Sequence, residues 1–237
     1  MIVGVLKENK PGEARTIMTP SGVAELRSCG HTVLVQKGAG ELSGFSNEDY
    51  VNAGAELCGD MREIYARSEL VAKVKELLPE EYGLLRENQI MLACFHPAAN
   101  REEVDVMLDK KIVGFAAEDT HRFGSPNCEV AGKLGALMGT LCLTTMYGGS
   151  GKLVSGIGGA PGINAIVLGA GIVGKAATDV LASLGARVTL MDINVGVLRQ
   201  CGQIFPKNVS TAFSNKQNIK DLLPATDLVV KDRKSVV

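Results

Sequence analysis

Tryptophan is absent from the 237 residues, aromatic side chains make up only 4%, and the charges nearly cancel, with 25 Lys and Arg against 26 Asp and Glu. That balance excludes a nucleic-acid binder working by bulk positive charge, and a chain that is 46% hydrophobic and 22% charged is not a disordered one. With so few rings the core has to be built from Val, Ile, Leu and Ala, as in parallel α/β sheets. The six cysteines form no C-x-x-C pair and no zinc-site spacing, so they read as buried small hydrophobes in a reducing compartment, with no metal expected. No apolar run reaches the roughly 18 residues a membrane span needs. The opening MIVGVL runs straight into KENK and does not have the form of a secretory signal. The expectation is a soluble, cytoplasmic protein with no membrane or nucleic-acid partner.

What is present is alternation. Strand-like and helix-like segments follow one another along the chain, which predicts parallel sheets joined by crossover helices. Residues 2–6 form a short apolar strand. Thr19 then caps a helix that has Pro20 in its first position, and Gly30 stops it. The next strand is 31–36, and Ser46-Asn47-Glu48-Asp49 has the form of a capping box before a short helix. Further strands are predicted at 70–74, 90–95 and 112–117, separated by helical stretches at 79–86 and 101–110. A long helix rich in small residues, 129–147, can link two domains, and the glycine-rich segments 148–151 and 156–162 read as loops that approach another backbone or a ligand.

The strands at 70–74, 90–95 and 112–117 read as apolar and are followed by Lys75, His96 and Glu118. Open parallel sheets receive ligands beyond the carboxyl ends of their strands, and Arg15, in the segment after the first strand, can reach the same rim. A lone charge at a strand end only marks where a side chain meets water, and the isolated His31 and His121 read as structural. Complementary ionisable groups on successive strand ends mark a candidate site.

Residues 165–168 form a strand running into Gly169-Ala170-Gly171-Ile172-Val173-Gly174. A small-residue helix follows to near Leu184, then a strand at 187–191 closed by Asp192. A bare G-x-G-x-x-G is a weak sign. Here it stands between strand and helix, with an acidic residue about 20 positions on, as a dinucleotide site requires. Gly169 serves the tight turn, Gly171 lets a pyrophosphate approach the backbone, and Gly174 lets helix and strand touch, while the helix N-terminus offers N–H groups. Asp192 suits the ribose hydroxyls and repels a 2′-phosphate, so NAD is expected as cofactor over NADP. After it, a helix (195–205), a strand (209–213), a helix (218–223) and a strand (227–230) complete about half of a doubly wound nucleotide domain.

With those residues in place, the sequence resembles the alanine dehydrogenase and transhydrogenase family from Met1 to about Val230. The resemblance is carried by VGVLKENKPGEARTIMTPSGVAEL, LVAKVKELLPEEYGLLRENQIMLACFHPAAN, EVAGKLGALMG, and GAGIVG followed by LMDIN. Within the family, KVKE with HPAAN resembles the alanine dehydrogenase branch. The resemblance implies NAD-dependent oxidative deamination of L-alanine to pyruvate and ammonium. It implies Arg15 and Lys75 as the groups that hold the carboxylate and carbonyl of the substrate, His96 as the catalytic histidine, and a homo-oligomer, commonly a hexamer. Glu118 is a candidate partner behind His96. Other readings are the nucleotide-binding subunit of a proton-translocating transhydrogenase, which would need a membrane partner, and a non-catalytic NAD-binding protein.

Departures from the family pattern are Pro97 in place of an apolar residue, Cys128 in place of a serine before EVAG, and a segment at 120–127 shorter than the family's loop. The second half of the nucleotide domain, the returning segment that completes the substrate domain, and the acid the family pairs with His96 have no counterpart. The expected fold is therefore α/β in two domains. Residues 1–128 would be an incomplete flavodoxin- or Rossmann-like substrate domain, and 129–237 the first half of a Rossmann NAD-binding domain. A C-terminally truncated chain, itself inactive, is the expectation. Residues 232–237 (DRKSVV) match one reading frame of a common sequencing adapter and are expected not to be biological.

Overall fold

A computed structural model describes residues 1–120 and 125–231. The readings of His121 and of residues 232–237 fall outside those residues. The chain divides into two compact units, Met1–Arg122 and Phe123–Val237.

The first unit is a parallel sheet of β1 (Ile2–Val5), β2 (Thr32–Gln36), β3 (Glu56–Cys58), β4 (Leu70–Lys75), β5 (Ile90–Cys94) and β6 (Val113–Ala116), in the order β3-β2-β1-β4-β5-β6. This is the Rossmann order rather than the flavodoxin one. Alternation along β2 separates the two faces. Val33 and Val35 pack with Val23 of α1 (Pro20–Ser28) and Tyr50 of α2 (Asn47–Asn52), while Leu34 joins Ile64 and Tyr65 of α3 (Met61–Arg67). Beyond α3, the layer continues through α4 (Pro79–Tyr82) and α5 (Arg101–Asp109).

The helix starts follow the capping residues. Thr19 accepts the N–H of Gly22 with Pro20 at the first helical position, and Ser46 with Asp49 forms the reciprocal capping box. The helix predicted at 79–86 is shorter: α4 ends at Tyr82, where Gly83 takes the cap position. The strand at 70–74 is not apolar throughout, because Lys73 is buried within it. The cysteines also depart from the expectation. Cys58, Cys94 and Cys201 are buried, but Cys29 and Cys142 are exposed.

The second unit opens with α6 (Pro126–Cys142) and forms a parallel sheet of β7 (Asn164–Leu168), β8 (Arg187–Asp192), β9 (Val209–Phe213) and β10 (Leu228–Lys231), in the order β10-β7-β8-β9. The helix predicted at 129–147 begins earlier, at Pro126, whose fixed φ suits a first helical turn, and it ends at Cys142. Ala165, Val167, Val188 and Leu190 face α6, α7 (Ile172–Ser183) and α8 (Val195–Ile204). The alternate residues Ile166, Leu168 and Met191 face Ile219 and Leu222 of α9 (Lys216–Leu222). Small residues let α6 and α7 approach closely: a Cβ on Gly132 would fall 2.2 Å from the carbonyl oxygen of Val173. Among the described residues no helix is long and apolar enough to cross a membrane.

Candidate active site

In the first unit the strand order reverses between β1 and β4, and ligands of open α/β sheets bind beyond the carboxyl ends at such a point. Arg15 lies in the segment leaving β1, Lys75 ends β4, His96 follows β5, and Glu118 sits in the 3-10 turn after β6.

Nε of Arg15 donates to Oε1 of Glu13 at 2.8 Å and Nη2 donates to Oε2 at 2.6 Å, a two-pronged pair, and the backbone N–H of Arg15 adds a third bond at 3.0 Å. The guanidinium hydrogen bonds, against the opposing effect of burial, hold the Glu13 carboxyl down at about 2, and the Lys75 charge adds a smaller pull. The sequence reading missed Glu13, since an acid two residues from an arginine in an irregular segment carries no periodic signal.

His96 and Glu118 are joined twice. Glu118 Oε1 accepts the backbone N–H of His96 at 2.8 Å and lies 3.5 Å from the ring Nδ1. The His96 ring is half exposed, while Oε2 of Glu118 is buried without a hydrogen-bond partner among the described residues. His96 has φ of 49°, the left-handed region that non-glycine residues rarely adopt, and the following Pro97 restricts it further. Such a conformation costs about 1–3 kcal/mol and persists only where neighbours hold it. Glu118 does so here, together with Asn100, whose Nδ2 donates to the carbonyl of Phe95 at 2.8 Å.

Cys94, at the end of β5, ties the groups into one cluster. Burial pushes its thiol up, and it feels the charges of Glu118, Lys75 and Arg15. Arg15, Lys75, His96 and Glu118 therefore share one rim.

Below the rim lies a buried ionic group that the sequence reading did not find. Lys73 Nζ donates to Oε2 of Glu81 at 2.6 Å, with both side chains almost wholly buried. Glu81 also accepts the Tyr65 hydroxyl at 2.9 Å and the backbone N–H of Leu78 at 2.7 Å. Glu103 accepts the backbone N–H of Leu77 at 2.6 Å. The signal was there in a lysine inside an apolar strand and in acids on short helices. Exposure on a helix face accounts for such acids equally well, so only burial distinguishes them.

In the second unit the glycine-rich turn follows β7, again beside a reversal of strand order, between β7 and β10. Gly169 has φ of 101°, a backbone conformation that favours glycine, and a Cβ on Gly174 would fall 1.7 Å from the Gly169 carbonyl oxygen, so turn and helix touch only because Gly174 lacks a side chain. A Cβ on Gly171 would meet nothing within 4 Å, and no side chain caps the start of α7. Open space before an uncapped helix N-terminus fits a phosphate. Asp192 ties the turn to the end of β8, accepting the N–H of Ala170 at 2.7 Å and that of Asn194 at 2.8 Å.

A doubly wound sheet with an ionisable cluster at its reversal point, followed by a sheet with a phosphate-shaped glycine turn, defines a two-unit α/β protein of the dinucleotide-binding class. The model of the family described as "Alanine dehydrogenase/PNT, N-terminal domain" matches residues 4–127, and that of "Alanine dehydrogenase/PNT, C-terminal domain" matches residues 135–232. The chain belongs to the alanine dehydrogenase/PNT family, which brings a nicotinamide nucleotide as its class of cofactor.

The chain is 40% identical over 235 residues to alanine dehydrogenase of Bacillus subtilis (strain 168), covering 97% of this chain and 62% of that protein. To alanine dehydrogenase of Mycobacterium tuberculosis (strain ATCC 25618 / H37Rv) it is 38% identical over 236 residues, covering 97% of this chain and 64% of that protein. A solved L-alanine dehydrogenase superposes with a TM-score of 0.87 at 34% identity, over 97% of this chain and 65% of that one. A transhydrogenase from Sinorhizobium meliloti shares the fold, with a TM-score of 0.76 at 22% identity, over 98% of this chain and 69% of that one. The chain thus spans under two thirds of the length of these alanine dehydrogenases.

Proposed function

We propose that the protein to which this chain belongs catalyses reversible, NAD-dependent oxidative deamination of L-alanine to pyruvate and ammonium. The observation that carries this reading is the convergence of Arg15, Lys75, His96 and Glu118 on the carboxyl-end rim of the first sheet, joined by Glu13 and Cys94. Two cations on one small site suit a 2-oxo or 2-amino carboxylate. Arg15 pairs with the carboxylate, offsetting its desolvation, and Lys75 donates to the C2 oxygen on the pyruvate side of the reaction.

In the second unit, Gly169, Gly171 and Gly174 with the start of α7 would hold the pyrophosphate. Asp192 would accept the adenosine ribose hydroxyls and turn away a 2′-phosphate, which selects NAD over NADP. Each of its oxygens already accepts a backbone N–H, which orients the carboxylate and leaves acceptor capacity for a hydroxyl. When bound, NAD supplies the acceptor for the hydride on the alanine Cα.

The remaining steps belong to the first unit. His96 takes a proton from the water that attacks the imine carbon, and returns a proton to the departing nitrogen as the carbinolamine collapses to pyruvate and ammonium. Glu118, bonded to the backbone of His96 and facing its ring, fixes the orientation of the imidazole.

The test is L-alanine-dependent NADH formation by the protein as its complete gene encodes it. The expected outcome is turnover that falls about 100-fold or more in His96→Ala, with a much smaller change in KM. NADH binding without any alanine turnover would instead favour a non-catalytic nucleotide-binding role.

A further inference from the structure

We propose that Glu8 is the positioning residue for Lys75: its buried carboxylate caps a bulge in β4 that carries Lys75 off the face of Lys73 and onto the face of Cys94. As far as it concerns substrate, this rests on the alanine reading above.

The argument begins with strand geometry. Residues two apart on a strand share a face. Val71 packs with Ile64 and Tyr65, and Lys73 pairs with Glu81, so both point into the layer of α3 and α4. An unbroken strand would send Lys75 into that same layer, next to a lysine that already occupies it.

The pairing with β5 shows otherwise. Ala72 stands opposite Leu92 and Lys75 opposite Cys94, so two residues of β4, Lys73 and Val74, face Ala93 alone. The extra residue puts Lys75 in phase with Ala72 instead of Lys73. The charge of Lys75 consequently acts on Cys94 and Glu13, the groups of the candidate site.

A bulge leaves ladder donors without their usual partner, and here Glu8 takes them. The last backbone bond from the β1 side to β4 runs from Leu6 to the carbonyl of Ala72 at 3.1 Å. The chain then bends toward β2, with the Lys7 N–H donating to Gln36 Oε1 at 3.0 Å. Glu8 Oε1 accepts the N–H of Val74, and the N–H of Lys75 at 3.3 Å. Its other oxygen is buried with no hydrogen-bond partner among the described residues. Burial raises the pKa of this carboxyl, against the pull of Lys73 and of the two N–H groups. A carboxylate kept in so unfavourable a place is explained by the bulge it closes.

The experiment uses the protein as its complete gene encodes it. Glu8→Ala is expected to lose the offset pairing of residues 72 and 75 in a crystal structure and to raise the KM for pyruvate about tenfold or more, with the Kd for NADH unchanged. Glu8→Gln keeps an acceptor for both N–H groups, and is expected to keep the bulge and a KM within about threefold of the unmodified protein. If Glu8 acts through Lys75, adding Glu8→Ala to Lys75→Met raises KM no further. An intact bulge in Glu8→Ala, an effect in Glu8→Gln as large as in Glu8→Ala, or additive effects in the double variant would each overturn the inference. Should Glu8→Ala not fold, Glu8→Gln decides by the same measurements. Absence of alanine turnover in the unmodified protein is a different result: it removes the alanine reading, and the crystal structures still decide whether Glu8 holds the bulge.

Discussion

Glu13 grips Arg15 by two guanidinium nitrogens, and that grip aims the arginine before any carboxylate arrives. Glu13→Gln keeps the size of the side chain but gives up the charge and one acceptor. The expected outcome in steady-state kinetics is a KM for pyruvate several-fold higher, on the order of 3 to 10, with Arg15→Ala producing a larger rise in the same direction. An unchanged KM in both would remove Arg15 from the site. The strand-end residues Lys75, His96 and Glu118 were legible because a parallel sheet puts ligands at one known end, and Arg15 was placed at the same rim. Glu8 and Glu13 were not legible. Both act from irregular chain, through backbone donors or a near neighbour, and neither periodicity nor a motif marks such contacts. His96 was read as a proton carrier, but its left-handed backbone could not be foreseen, since a residue before proline ordinarily avoids it.

Helix ends were read with more success than helix lengths. Thr19 caps α1 with Pro20 in its first position, and Ser46 with Asp49 caps α2, where the sequence puts them, because capping depends on neighbours within a few residues. Helix α4, in contrast, stops at Tyr82 with Gly83 in the cap position, short of the predicted 86, and its Glu81 turns inward to Lys73, a tertiary contact. The glycine-rich turn shows the same contrast within one element. Its spacing announced a strand, a turn and a helix, and the contact between Gly174 and the Gly169 carbonyl gives that spacing its reason. Gly174→Ala places a methyl group where only 1.7 Å is available, so the turn and the start of α7 have to separate. NADH affinity, measured by fluorescence titration, is expected to fall about tenfold or more. Undiminished affinity would show that the start of α7 does not hold the nucleotide.

The stability of the first unit as a whole should depend on pH through its buried acids. Burial raises the Glu103 carboxyl to about 7, above its ordinary 4.5, against the opposing hydrogen bond from Leu77. The folded form therefore holds a proton that the unfolded form has released, and this contribution to stability is complete below about 4.5 and is lost as pH rises toward 7. Glu103→Gln cannot ionise and keeps an acceptor for Leu77. Urea unfolding is expected to show it more stable than the unmodified protein above pH 7 by on the order of 1 kcal/mol, with the difference gone near pH 4.5. A difference independent of pH would assign the effect to packing. Sequence alone determined the α/β class, the two parallel sheets and the glycine turn, because repeat period and glycine spacing are local properties of the chain. Only the tertiary structure decided that Lys73 lies buried against Glu81 while Lys75, two residues on, faces the candidate site. The register of a bulge is set by the neighbouring strand and by a carboxylate far away in sequence, and no strand carries that information in its own alternation.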